Sequence, residues 1–164
     1  MSMNPSSMRL RAAGPVDLAA INRVIEAAVM TWDLPDRVKR LSLPSYRYTR
    51  VDFDQLEMVV AEDDRGVTRG VAGWEPADAG DAPAGRTALL LHGIYVEPAF
   101  HRRGIGRLLF QAAERAAREH RRDGLLVKAQ KDATGFFIAQ GMSAVAVDDA
   151  RRDYANRFWK PVAG

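Results

Sequence analysis

A strand-like apolar run, Ala88 to Val96, gives way after a short loop to His101-Arg102-Arg103-Gly104-Ile105-Gly106 and then to an amphipathic helical run from Arg107 to Glu119. No other stretch constrains the fold as much, because a strand that passes so quickly into a long helix predicts a crossover to a parallel neighbour. Two glycines one residue apart let the backbone turn tightly, aim several N–H groups inward and approach a bound anion closely. The helix adds the positive end of its dipole, and Arg102, Arg103 and Arg107 add cationic forks, so a phosphate or pyrophosphate suits the turn. Strand-to-helix junctions also use glycine for geometry alone, and spacing by itself leaves both readings open. A dinucleotide fingerprint needs a third glycine where Leu109 stands, and a P-loop needs Gly-Lys-Ser/Thr, so neither applies.

The rest of the chain supplies a sheet for this crossover to join. Met8 to Ala13 reads as a short first strand. Gly14-Pro15 opens a helix in which Leu18, Ile21, Ile25, Ala28 and Val29 recur near the helical period. Pro35 and Pro44 bracket a second helix around Asp36 to Leu41. Leu56 to Glu62 and Val67 to Trp74 flank Asp64-Arg65-Gly66 as a hairpin. Glu75 to Arg86 reads as a loop. After the long helix come a strand at Leu125 to Ala129, a helix near Asp132 to Gln140, and strands near Met142 to Val147 and Asn156 to Val162. This order predicts a mixed sheet flanked by helices.

At 164 residues the chain fits a single domain spanning 1–164, with Met1 to Ser7 a loose tail, and a domain of that size buries about two thirds of the surface its unfolded chain exposes. It contains no cysteine, which excludes a thiol nucleophile, a disulfide framework and cysteine-based zinc sites. The three histidines show no metal-ligand spacing. No apolar run approaches the ~20 residues of a membrane span, and the first residues lack the apolar core of a secretory signal, so no membrane partner and a cytoplasmic location are expected. The net charge of +3 comes from 24 basic and 21 acidic residues, too nearly balanced to argue for nucleic acid. Arg115, Arg118, Arg121 and Arg122 fit a solvated helix end, where cations favour the negative pole of the dipole.

The strand ending Val96-Glu97-Pro98, the glycine turn with its arginines, and the helix carrying Ala112, Ala113, Ala116 and Ala117 together resemble motif A of the GCN5-related N-acetyltransferases (GNAT). Downstream, Gln130-Lys131-Asp132-Ala133-Thr134-Gly135-Phe136-Phe137 resembles that family's motif B, with an amide side chain, an alanine and an aromatic pair. The resemblance spans Ala88 to Val147. It implies the α/β (α+β) acyl-CoA N-acyltransferase fold, a mixed and mostly antiparallel central sheet flanked by helices, with acetyl-CoA as co-substrate and no metal. It further implies that backbone groups of Ile94, Tyr95 and Val96 meet the pantetheine arm and thioester. The residues His101, Arg102, Arg103, Gly104, Ile105, Gly106 and Arg107 then cradle the pyrophosphate, and Gln130, Ala133, Phe136 and Phe137 complete the coenzyme contacts. A homodimer is a family habit.

Transfer to an amine requires an uncharged nucleophile, a polarised carbonyl and a proton for the departing thiolate. Relatives that use a strand-borne glutamate carry it near Leu90, which cannot accept a proton. His92, two residues on and on the same strand face, is the candidate base, with Glu75 and Glu97 as alternatives. Many relatives place a tyrosine at Phe137 to protonate the thiolate. Phenylalanine cannot, which leaves water, Tyr95, Tyr154 or unassisted departure. His101 stands where the family commonly has Gln or Arg. Trp32, Trp74 and Glu75 are the candidate acceptor contacts, an aromatic wall with one carboxylate for a cationic amine. The acceptor is a small-molecule or peptide amine. A non-catalytic acyl-CoA-binding sensor is the second reading, and an arginine-rich surface meeting nucleic acid is a third.

Overall fold

The computed structural model describes residues 7–147 and 156–162. Most of the expected tail and Tyr154 lie outside them. The described elements are β1 (Arg9–Ala12), α1 (Leu18–Val29), α2 (Asp36–Tyr46), β2 (Glu57–Glu62), β3 (Thr68–Pro76), β4 (Ala88–Val96), α3 (Ile105–Glu119), β5 (Gly124–Lys128), α4 (Thr134–Ala139), β6 (Ser143–Ala144) and β7 (Arg157–Pro161). The strands form one sheet in the order β1-β2-β3-β4-β5-β7-β6. β4 and β5 run parallel, whereas β1 with β2, β5 with β7 and β6 with β7 run antiparallel. The mixed, mostly antiparallel sheet with helices is thus the class the sequence implies. The chain divides into two compact units, residues 1–73 with 94–109, and residues 74–93 with 110–164.

In the first unit Ile21, Val24, Ile25 and Val29 of α1 are fully buried and pack with Leu43, Tyr48, Leu56, Met58, Val60 and Val71. The start of α1 is fixed by polar chemistry. Pro15 opens a short 3-10 turn, and the Asp17 carboxylate accepts from the Gly14 N–H at 2.9 Å while pairing with Arg11 at 2.7 Å. Helix α2 runs past the expected Leu41 and through Pro44 to Tyr46. Pro44 falls in the last turn and gives up the ladder bond that its missing N–H would have made to the carbonyl of Arg40. Lys39 of α2 donates from Nζ to the Met30 carbonyl at 2.8 Å, placing a cation at the C-terminal pole of α1. The β2–β3 turn is built by Asp63, whose Oδ1 accepts from the N–H groups of Arg65 and Val67, and by Gly66 at φ +78°. A Cβ on Gly70 of β3 would stand 3.0 Å from both Ile105 and Leu109, so bare backbone lets the start of α3 lie against the strand.

In the second unit Leu126 of β5 packs with Ala82 and Ala88, with Leu90, Val145 and Trp159 at its margin. Gly124 is required by Trp159: a Cβ there would meet the indole at 2.5 Å. The helix expected near Asp132 to Gln140 splits into a 3-10 turn at Lys131–Ala133 and α4. The strand expected over Met142 to Val147 contracts to Ser143–Ala144, although the Val145 N–H still donates to the Arg157 carbonyl.

Candidate active site

Two residues before α3 adopt left-handed backbone, Arg102 at φ 63° and Gly104 at φ 79°. The second of these is a position only glycine occupies without cost. Gly106, by contrast, lies within the first turn of α3, so the tight bend comes from Arg102 and Gly104 rather than from the glycine pair. The Gly104 carbonyl accepts the first helical bond, from the Leu108 N–H at 3.1 Å. The N–H groups of Ile105, Gly106 and Arg107 precede that bond and have no partner within the helix. They form the positive pole of a 15-residue helix, with Arg102 and Arg107 exposed beside it.

Arg103 differs from its neighbours. It is half-buried, and its guanidinium lies over the Phe100 ring, 4.9 Å from the centroid. Arg69 lies over the same ring at 4.4 Å and is itself held by Asp63 at 3.0 Å and Glu97 at 2.6 Å. Glu97 also reaches Arg23 at 3.4 Å. Its carboxylate is thereby engaged by two guanidiniums, which removes the reason for considering it as a base. These partners of the turn were not legible in the sequence; an aromatic before an arginine pair is too common to single out.

His101 is exposed, and its Nε2–H donates to the Val96 carbonyl at 2.9 Å. Because a carbonyl only accepts, the bond fixes the proton on Nε2 and leaves Nδ1 facing elsewhere as an acceptor in the neutral ring. His101 can donate to a phosphate through Nδ1 only as an imidazolium.

Tyr95 packs against the core of the first unit. Burial, aided by the nearby Tyr46, pushes its hydroxyl far above the ordinary phenol range, so it stays protonated. Trp32 and Tyr46 meet edge to face at 4.9 Å, against the same core. Trp32, Ile94, Tyr95, Val96 and the whole turn from His101 to Arg107 all belong to the first unit.

The second unit holds the remaining candidates. β4 pairs with β5 from Ala88 to Leu91 and then runs on, with His92 exposed. Trp74 is buried and Glu75 half-buried on β3. Gln130 ends the loop before the 3-10 turn that contains Ala133. Phe137 is buried, 6.4 Å from Phe110 and 5.2 Å from Phe136 between ring centroids. Among the described residues no three His, Asp or Glu side chains gather as a metal site, and no helix is long and apolar enough to cross a membrane.

A strand, a turn with left-handed backbone and the free N–H groups of a long helix in a mixed sheet make a place where an anionic group can be held. The family model described as "Acetyltransferase (GNAT) domain" matches residues 54–141, more than half of the chain, and the protein belongs to the GNAT acetyltransferase family. It is an acyltransferase by class. Solved structures agree on the fold. The PaiA N-acetyltransferase of Thermoplasma acidophilum, in complex with coenzyme A, superposes with TM-score 0.74 at 12% identity, over 94% of this chain and 99% of that one. A GCN5-related N-acetyltransferase of Rhodopseudomonas palustris gives 0.73 at 22% identity over 99% and 100%. A GNAT acetyltransferase of Brucella melitensis in complex with acetyl-CoA gives 0.66 at 22% identity over 96% and 89%. No curated protein matches the sequence.

Proposed function

We propose that the protein transfers the acetyl group of acetyl-CoA to a primary amine of a small molecule or peptide, by direct attack within a ternary complex. The observation that carries this reading is the donor set before α3. Left-handed backbone at Arg102 and Gly104, unspent N–H groups of the first helical turn and three guanidiniums suit a pyrophosphate. Two relatives of the same fold are crystallised with CoA or acetyl-CoA, which supports the assignment.

When bound, the coenzyme supplies an activated thioester. Backbone groups of Ile94, Tyr95 and Val96 hold its arm and polarise the carbonyl, and Gln130, Ala133, Phe136 and Phe137 contribute further contacts. His92 takes the proton of the attacking amine, directly or through water, as the C–N bond forms and the C–S bond breaks. Tyr95 is a poor acid for the departing sulfur: its hydroxyl holds its proton more tightly than a thiol, whose ordinary pKa is ~8.5, so transfer runs uphill. The sulfur leaves as a thiolate, stable enough to depart unassisted because its conjugate thiol is a moderate acid, and the proton that His92 took from the amine passes to solvent, from which the released thiolate is protonated. Trp32, Trp74 and Glu75 select the acceptor. The protein acts in the cytoplasm, as a homodimer.

Phe137, buried and without a hydroxyl, favours a second reading in which the chain binds acyl-CoA as a sensor without turnover. Thiol release from acetyl-CoA over a panel of polyamines, amino acids, amine antibiotics and peptides separates the two. The transferase reading expects release with at least one class. With that acceptor His92→Gln should cost about a hundredfold in kcat/KM and change the shape of the pH–rate profile. Binding without release from any amine indicates the sensor.

A further inference from the structure

The pyrophosphate turn is served by a device outside its glycines and amides. Phe100 lies under two guanidiniums, Arg69 at 4.4 Å and Arg103 at 4.9 Å from its centroid. The two cations differ in what else they do. Arg69 is neutralised, bonded to Asp63 at 3.0 Å and to Glu97 at 2.6 Å. Arg103, among the described residues, has no ion pair or hydrogen bond, and the Phe100 ring is its sole partner. A half-buried guanidinium with its fork of N–H donors unspent, lodged against an aromatic face, is held in place without spending any of them.

We propose that Phe100 is a positioning residue that holds the Arg103 guanidinium ready for a coenzyme phosphate, with the Asp63–Arg69–Glu97 ion-pair network fixing the ring from the other partner. The inference rests on reading residues 101–107 as the pyrophosphate turn. The stack lets Arg103 meet the phosphate with less side-chain freedom to lose, and an ordered fork favours bidentate contact. Arg69 shares the ring without competing for the anion, since its charge is already matched by two carboxylates. Arg102 and Arg107 have no such support, which singles out Arg103 as the ordered cation of the three.

A double-mutant cycle read by calorimetric titration with CoA tests this. The wild-type dissociation constant tests the turn itself, and the ratios among variants test Phe100. Phe100→Leu, which keeps apolar volume but removes the π face, should raise the dissociation constant about fivefold, and Phe100→Tyr should stay within about twofold of wild type. In an Arg103→Gln background the Leu substitution should have no further effect, because Phe100 acts through Arg103. Should Phe100→Leu fail to fold, Phe100→Met carries the same comparison. Wild-type binding with an unchanged Phe100→Leu constant, or with losses that multiply in the double variant, overturns the positioning role and leaves the turn assignment standing. Absence of wild-type binding overturns both.

Discussion

Single residues here carry conformations that their side chains do not favour. Arg121 ends α3 at φ 56°, with its own N–H donating to the Arg118 carbonyl and the Arg122 N–H to that of Ala117. This is the Schellman arrangement, and glycine is its usual occupant. The arginine gains from the negative helix pole but bears the crowding of left-handed backbone, roughly 1 kcal/mol. Arg121→Gly should therefore raise the melting temperature by about 1–3 °C, a shift that calorimetry resolves for a chain of this length. An unchanged or lowered temperature would mean that the charge outweighs the strain. Left-handed arginines at 102 and 121 were invisible in the sequence, where glycine is the signal for such backbone and arginine is not.

Among the elements, β1 is secured by charge as much as by its ladder. Arg11 bonds the Asp17 carboxylate at the entrance to α1 and the Glu62 carboxylate at the end of β2, both at 2.7 Å. Asp17 and Glu62 are buried, and the Arg11 guanidinium is the main cause that holds both carboxyls below their ordinary range. Depressed carboxylate pKa values add stability above the unfolded values, near 4, and that contribution is lost as pH falls through the folded values. Arg11→Leu should thus destabilise by roughly 1–3 kcal/mol at pH 7, less than a fully buried pair because the guanidinium side chain is 36% exposed. The difference from wild type should shrink as pH falls below about 4, in denaturant melts run at both ends of the range. An equal loss at every pH would assign Arg11 to packing alone. The elements were largely legible because they depend on local patterns: Ile21, Ile25, Ala28 and Val29 on the buried face of α1 and the Asp64-Arg65-Gly66 turn are both written in nearby residues. The 3-10 turn at Arg50–Asp54 and the extension of α2 through Pro44 were not, since the first rests on an Asp52 to Thr49 bond and the second on where the helix stops.

At the scale of the molecule, the first unit carries a buried cluster around α1 and β2, and the second one around Leu126 of β5. Sequence identified the family because motif A is a local device, in which backbone turn, helix pole and cations are neighbours in the chain. The supports of Arg103 come from residues 63, 69, 97 and 100, so only folding reveals them. The proposed acceptor contacts face the same difficulty: Trp32 and Trp74 are partly and wholly buried, and nothing in their spacing distinguishes a wall from a core.

Calorimetric titration of CoA into wild type and Gly104→Val tests most directly whether the turn before α3 holds the coenzyme's pyrophosphate. Gly104 sits at φ 79°, where a β-branched side chain must push the backbone out of its cradle. Wild type should bind one CoA per chain, and the folded variant should lose at least about a hundredfold in affinity, the scale of several amide contacts to a phosphate. Equal binding by a folded Gly104→Val protein, or none by wild type, would contradict the assignment and return the glycine to simple geometry.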